Sequence, residues 1–167
     1  MTVAKIKTST SGEPSIGLER NARKHVAEAL AQVLAGTYLT QLKTQYYHWN
    51  VTGTHFGSLH LLFETQYNGL SAAVDEIAER IRALGFPTPG TFREFTQLAE
   101  VAEDKSLPSD WSVMVKNLLA ANEALARHLR EHLAEVQEAG DEGTADLFIR
   151  RLQEHEKAAW MLRSYLA

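Results

Sequence analysis

The apolar residues of this chain recur at steps of three and four, the spacing that places side chains on one face of an α-helix. The first such stripe predicts a helix from Gly17 to about Trp49, and the second predicts one from Ser58 to Leu84. Two more helices are predicted from Ser109 to Glu138 and from Thr144 to the C-terminus. No stretch alternates strictly between apolar and polar residues, as a half-buried strand would. The pattern therefore predicts an all-α protein.

The lengths of the links between these helices predict how the helices pack. The links "NVTGT" and "AGDEGT" are short, whereas residues 85–108 form a long connection with room for one short helix in "FREFTQLAEV". Two short links and one long crossover predict a ferritin-like four-helix bundle. We expect residues 17–167 to form this domain. Residues 1–16, rich in Ser, Thr, Gly and Pro, are expected to form a flexible N-terminal tail.

Composition narrows the possible functions. The chain has 167 residues, a net charge of -4 and no cysteine. The lack of cysteine excludes disulfides, zinc–thiolate sites and iron–sulfur clusters. The acidic balance argues against a general nucleic-acid binder, which is usually strongly basic. The N-terminus has no apolar signal segment and no apolar run is long enough to span a bilayer, so we expect a cytoplasmic protein.

Candidate metal ligands are concentrated in "HWNVTGTHFGSLHLLFE" and in the helix that follows it. Imidazoles and carboxylates together suit iron and other first-row divalent ions. His60 and Glu64 are an i, i+4 pair on one helix face, and so are Asp75 and Glu79. The two pairs are about 22 Å apart along a straight helix. They therefore cannot bind the same ion within one chain.

Two interpretations of these pairs remain open. In the first, they are unrelated polar residues on the exposed side of a helix. In the second, two copies of the helix pack antiparallel about a two-fold axis. His60 and Glu64 of one chain then face Asp75 and Glu79 of the other. The centre of such a contact contains small residues that permit close approach, namely Gly69, Ser71, Ala72 and Ala73. His48, at the end of the preceding helix, is the candidate for a fourth ligand, and His55 is interpreted as an exposed loop histidine.

The segment "HWNVTGTHFGSLHLLFETQYNGLSAAVDEIAERIRALG" resembles the signature of Dps proteins, the DNA-binding proteins from starved cells, also called miniferritins. The C-terminal segment "TADLFIRRLQEHEKAAWMLRSYL" is also similar, so the resemblance covers about residues 17–167. The matching signature residues are His48, Trp49, Asn50, Gly53, Phe56, Leu59, His60, Glu64, Asp75, Ala78, Glu79 and Arg80.

The resemblance implies a shell of twelve identical subunits that stores mineral iron. Iron(II) is then oxidised, preferably by hydrogen peroxide, at sites that span each two-fold interface, two sites per dimer. The implied ligands are His48, His60, Asp75 and Glu79, with Glu64 completing or bridging the site. The activity implied is that of a ferroxidase protecting the cell and its DNA from oxidative damage.

The resemblance also implies roles outside the ligand set. Trp49 matches a tryptophan beside the centre that takes part in electron transfer, although a core aromatic would equally explain this residue. Acidic residues at the start of the last helix line three-fold pores in Dps shells, which makes Asp146 the first pore candidate and Asp141 the second. Helix capping is the alternative explanation for this acidic cluster.

Two other metal sites are weighed against this one. A ferritin or bacterioferritin would need Glu-x-x-His pairs. None of the seven histidines has a glutamate three places before it. The string "HLREH", His128 to His132, matches a zinc-peptidase pattern, but only 35 residues follow it to supply a further ligand. We interpret it as part of a solvated helix surface.

DNA compaction with secondary iron chemistry is the alternative function. Contacts with phosphates need cations. The first sixteen residues contain only Lys5 and Lys7, opposed by Glu13. The sequence therefore favours iron storage, with DNA binding weak or absent.

Overall fold

The computed structural model describes residues 12–167, which form five α-helices and no strand. The predicted bundle is confirmed, and the ends of its four long helices lie within three residues of the predicted ones. None of the helices in this range is long and apolar enough to cross a membrane. The helices are α1 (Arg20–Asn50), α2 (Phe56–Ala83), α3 (Phe92–Leu98), α4 (Trp111–Glu138) and α5 (Glu142–Ser164).

The bundle is built from two helical hairpins. α1 packs along α2 and α4 packs along α5. The hairpins meet mainly through α1 and α4, with a smaller contact between α2 and α5, and α3 packs on α1. A large apolar cluster that includes Leu30 and Phe148 fills one end of the bundle. A smaller cluster that includes Phe63 and Leu118 lies beneath the turn between α1 and α2. Apolar burial on this scale is the main force that holds helices together in water.

The interior of the bundle contains a neutral histidine rather than carboxylates. His155 is 1% exposed, and its Nδ1 lies 2.9 Å from Oδ1 of Asn122. Burial, together with the nearby Arg151, lowers the pKa of His155 to about 3. Among residues 12–167 the one buried carboxylate is Asp141, at the start of α5. This agrees with the exclusion of a ferritin-type site inside a single bundle.

The N-terminal segment contacts the bundle from Glu13 onward. Glu13 accepts a hydrogen bond from the buried guanidinium of Arg23 at 2.9 Å. Pro14 lies against Gly85, where an added Cβ would be only 2.8 Å from the proline ring. Glu13 and Pro14 of the predicted tail therefore contact the bundle, and its residues 1–11 lie outside the described residues.

Candidate metal centre

The end of α1 and the start of α2 bring His48 and His60 face to face. Their ring centroids are 3.8 Å apart and their planes are inclined by 22°. The Nδ1 atom of each ring lies 2.9 Å from the backbone carbonyl oxygen of the other histidine. A carbonyl can only accept a hydrogen bond, so each Nδ1 carries the proton and donates it. Each Nε2 therefore keeps its lone pair for a metal ion.

The turn between the two helices determines this pairing. Gly53 has a φ of +93°, a conformation that glycine adopts without the steric cost other residues incur. Tyr67 contacts the His48 ring edge-on at 5.2 Å, and Phe56 lies 5.1 Å from the His60 ring. These contacts and the reciprocal hydrogen bonds hold the imidazoles as a preformed pair.

The predicted carboxylates lie on the same helix as His60. α2 is continuous from Phe56 to Ala83, so Glu64, Asp75 and Glu79 follow His60 along one face. Glu64 is half-buried, whereas Asp75 and Glu79 are exposed. Because the helix is unbroken, Asp75 remains about 22 Å from His60 along its axis.

A single chain does not assemble the predicted ligand set. The structure brings His48 and His60 together, but it does not bring Asp75 or Glu79 to them. Glu64 also does not complete a close group. In the part of the chain that the structure describes, the one set of three histidine or carboxylate ligand atoms within 4.8 Å of one another lies elsewhere, at Glu100, His128 and Glu131.

The middle of α2 presents small residues to the surface. A Cβ added to Gly69 would meet no atom within 4 Å, and Ser71 and Ala72 are exposed. Ala73, which was predicted to belong to the same surface, is 2% exposed and packs in the core instead. The small residues of this segment that are open to the surface are therefore Gly69, Ser71 and Ala72.

Trp49 lies on the surface of the chain at the end of α1. Trp49 is 63% exposed, so the alternative explanation of this residue as a core aromatic is wrong for the single chain. The indole lines a surface groove of about 310 Å³ together with Lys43, Tyr46 and Asp104. Trp49 thus follows His48 in the chain but is open to the surface, whereas His48 is buried.

Comparison with known proteins identifies the family of this chain. A family model described as the ferritin-like domain matches residues 27–167. The chain is 43% identical over 156 residues to an uncharacterised low temperature-induced protein of Nostoc sp., covering 91% of this chain and 86% of that protein. It is 33% identical over 143 residues to the DNA protection during starvation protein 2 of Bacillus anthracis, covering 86% and 97%. The chain belongs to the Dps family.

The Dps fold is also seen in solved structures. The Dps protein of Vibrio cholerae superposes with a TM-score of 0.88 at 31% identity, covering 96% of this chain and all of that one. That protein is described as a member of a broad superfamily of ferritin-like diiron-carboxylate proteins. The family resemblance and the ferritin-like fold predicted from the sequence are thereby confirmed.

His55 has a structural position in this Dps chain that the sequence did not predict. It is half-buried, immediately before α2, and its ring packs against Trp111 at 4.5 Å and Tyr165 at 5.9 Å. The prediction of an exposed loop histidine is therefore wrong. Its exclusion from the proposed ligands stands, because this ring is part of the packing between α2, α4 and α5.

The two pore candidates differ sharply in their surroundings. Asp141 is 2% exposed, accepts hydrogen bonds from the backbone and hydroxyl of Thr144, and pairs with Arg80 at 2.5 Å. These contacts favour its role as the N-cap of α5 over a role in a pore. Asp146 is exposed and contacts Arg150 at 3.1 Å. Asp146 alone keeps the accessibility that a pore requires.

The "HLREH" string is only partly on the solvated surface that the sequence suggested, with Arg130 and Glu131 exposed. His128 is only 4% exposed. Burial, and secondly the neighbouring His132, lowers the pKa of His128. Glu100, from the connection after α3, lies 3.1 Å from this ring. The sequence did not point to Glu100, because no motif links this residue to the string. The string itself was the sign of this cluster that the sequence offered.

Proposed function

We propose that this Dps protein is a cytoplasmic ferroxidase that stores iron. It oxidises iron(II), preferably with hydrogen peroxide, at sites shared by two subunits and keeps the iron(III) as mineral inside a dodecameric shell. The observation that carries the proposal is the His48–His60 pair, whose Nδ1 protons are fixed by backbone carbonyls. A pair so oriented, in a chain that does not bring the remaining ligands to it, fits half of a metal site.

The other half of the site would come from a second chain. If two copies of α2 cross antiparallel near Gly69, His60 and Glu64 of one chain approach Asp75 and Glu79 of the other. A closed two-fold contact repeats every interaction, so each dimer would contain two such sites. The exposed carboxylates on α2 and the open space at Gly69 support this arrangement.

The ligand types favour oxidation of the bound substrate. Anionic carboxylates stabilise iron(III) more than iron(II), because the larger charge gains more from oxygen anions. Because the protein supplies few ligands, coordination positions remain for a second iron(II) ion and for peroxide. Each of the two iron(II) ions then gives one electron to the peroxide, which is reduced to water rather than to hydroxyl radical. Trp49, next to His48, is the candidate for passing single electrons at this site.

A subunit-mixing experiment tests the shared site. His60→Ala removes one half of the site and Asp75→Ala removes the other, so each variant alone should lose fast peroxide-dependent iron(II) oxidation. When the two variants are dissociated and reassembled together, one of the two sites in every mixed dimer contains only wild-type ligands. Random mixing should therefore restore about a quarter of the wild-type rate.

The control for this experiment is a mixture of two preparations of the His60→Ala variant. It should remain inactive after the same treatment, because no mixed dimer can complete a site. A site contained within one chain would give no recovery in the His60→Ala and Asp75→Ala mixture either. That result, or full activity in either variant alone, would contradict the proposal.

A further inference from the structure

A second set of metal-ligand side chains lies far from α2 along the chain. The ligand atoms of Glu100, His128 and Glu131 are all within 4.8 Å of one another. Nδ1 of His128 is 3.1 Å from Oε2 of Glu100 and 3.8 Å from Oε2 of Glu131. Glu100 comes from the connection between α3 and α4, and the other two residues come from α4. None of these residues belongs to the proposed intersubunit centre.

The imidazole of His128 is buried without a conventional partner. The side chain is 5% exposed, and neither ring nitrogen makes a hydrogen bond with any residue in the range 12–167. Its short approach to Glu100 lacks hydrogen-bond geometry. A buried polar group normally has a partner, because leaving it unpaired costs free energy. The two carboxylates close over this ring from the solvent side, where they are 56% and 70% exposed.

His132 extends the cluster by one helical turn. Its ring centroid lies 4.4 Å from that of His128 at an angle of 87°. Its Nδ1 lies 3.0 Å from Oε2 of Glu135, while its Nε2 is buried and makes no hydrogen bond among the described residues. A carboxylate that holds Nδ1–H in this way leaves the Nε2 lone pair for a metal ion, as is common around protein metal ligands.

We propose that Glu100, His128 and Glu131 bind a first-row divalent transition-metal ion of the Zn²⁺ type, with His132 as an additional ligand. Mixed imidazole and carboxylate donors suit such ions. In a tetrahedral site, the usual bonds from Zn²⁺ to nitrogen and oxygen put neighbouring ligand atoms about 3.4 Å apart. Glu100 already lies within this distance of the His128 ring, whereas Glu131, at 3.8 Å, must move inward, which its exposure allows. Because Glu100 precedes α4 by a long connection, the ion ties that connection to the helix.

The site is tested by counting bound zinc on the assembled protein. Zn²⁺ is titrated in competition with a chromogenic chelator, for the wild type and for the double variant Glu100→Gln/Glu131→Gln. Both glutamates are exposed, so the amides should leave the fold intact. The wild type should bind one more equivalent per chain than the double variant, or bind it at least ten times more tightly. Glu138→Gln, an exposed carboxylate on the same helix, is the matched control and should behave like the wild type.

The same comparison in a His60→Ala/Asp75→Ala background separates this site from the proposed intersubunit centre. The difference of one equivalent should persist there, and Glu100→Gln/Glu131→Gln alone should keep the wild-type rate of iron(II) oxidation. Zinc should also raise the melting temperature of the background protein more than that of its double-glutamine derivative. Equal zinc stoichiometry and affinity with and without the two glutamates would overturn the proposal. The cluster would then be an ion pair of the two glutamates with His128.

Discussion

The buried imidazole of His155 couples the stability of the bundle to pH. Its pKa is lowered to about 3 in the folded chain by burial and by Arg151, whereas an exposed histidine titrates near 6.5. Between these values the unfolded chain binds a proton that the folded chain excludes. The contribution of His155 to the free energy of unfolding is therefore fully present above about pH 6.5 and is lost as the pH falls toward 3.

Replacing His155 with glutamine should remove this part of the pH dependence, because an amide can still reach Asn122 but does not titrate. The wild type should lose on the order of 1 kcal/mol of unfolding free energy per pH unit between pH 6 and 4 from this residue. The variant should show a flatter profile. Urea unfolding followed by circular dichroism, at one protein concentration and several pH values, measures both slopes. Parallel slopes would contradict the assignment.

The aspartates at the start of α5 provide a second pair of predictions at single residues. Asp141→Asn leaves Arg80 without its anionic partner, so unfolding free energy should fall by about 1–3 kcal/mol.

Asp146→Asn removes only an exposed i, i+4 pair with Arg150, which is worth less than about 0.5 kcal/mol. If Asp146 lines the path of iron(II), this variant should instead slow iron oxidation at low iron concentration. Urea unfolding and initial rates, measured on both proteins, distinguish the two roles, and an unchanged rate in Asp146→Asn would remove it from the path.

How far single residues could be predicted depends on where their partners lie. The spacing of His60, Glu64 and Asp75 sits within one helix, so the sequence alone excluded a shared ion in one chain. The packing of His55 against Trp111 and Tyr165 joins three helices, and no local pattern encodes it. The exposure of a residue is likewise set by the assembled bundle.

The element that bears most of the proposed function is α2, which has to serve two surfaces. One face packs in the core, and the opposite face carries the stripe from His60 to Glu79. Gly69 lies inside this helix, where glycine costs about 1 kcal/mol relative to alanine. Packing within the chain does not require it, since a Cβ there would touch nothing. The proposed two-fold contact would give it a reason, through close approach of a second copy of α2.

Enlarging Gly69 should therefore affect assembly rather than the fold of the chain. Gly69→Phe should keep the wild-type helical content, lose the two-fold dimer and with it fast iron(II) oxidation. Gly69→Ala is the control, because a single methyl group fits the helix and adds little bulk to the contact. Particle mass by light scattering, circular dichroism and oxidation rates together decide the case. A Gly69→Phe protein that assembles and oxidises iron normally would remove Gly69 from the interface.

The helices themselves were predictable because their information is local. The apolar period and the turn sequences between helices identify each element within a few residues, and the crossover length identifies the order of packing. The contact between the α3–α4 connection and α4 was not predictable. It depends on how the long connection folds back onto α4. This brings Glu100 to His128, although the two residues are too far apart in the sequence for a helical period to relate them.

At the scale of the whole molecule, the acidic character of the chain decides its expected behaviour toward DNA. The net charge of -4 per chain would be repeated in every subunit of a shell. Lys5 and Lys7 are the cations of the N-terminal segment outside the described residues. Glu13 is paired with Arg20 and Arg23 of the bundle.

We therefore expect no retardation of plasmid DNA by the assembled protein at physiological salt. At low salt a weak shift is expected, since phosphate contacts depend steeply on ionic strength. Lys5→Gln/Lys7→Gln should abolish that weak shift while leaving iron(II) oxidation unchanged. Retardation that persists at physiological salt would favour the DNA-compacting alternative.

The order of the elements along the chain has a consequence for how the protein is made. Every ligand that we propose for the shared centre lies in α1 or α2, before residue 84, and neither α4 nor α5 contributes one. Domains begin to form from the N-terminus during synthesis. The histidine pair can thus form while the second hairpin is still on the ribosome. A nascent chain would then present imidazole donors beside an apolar face that α4 and α5 have not yet covered.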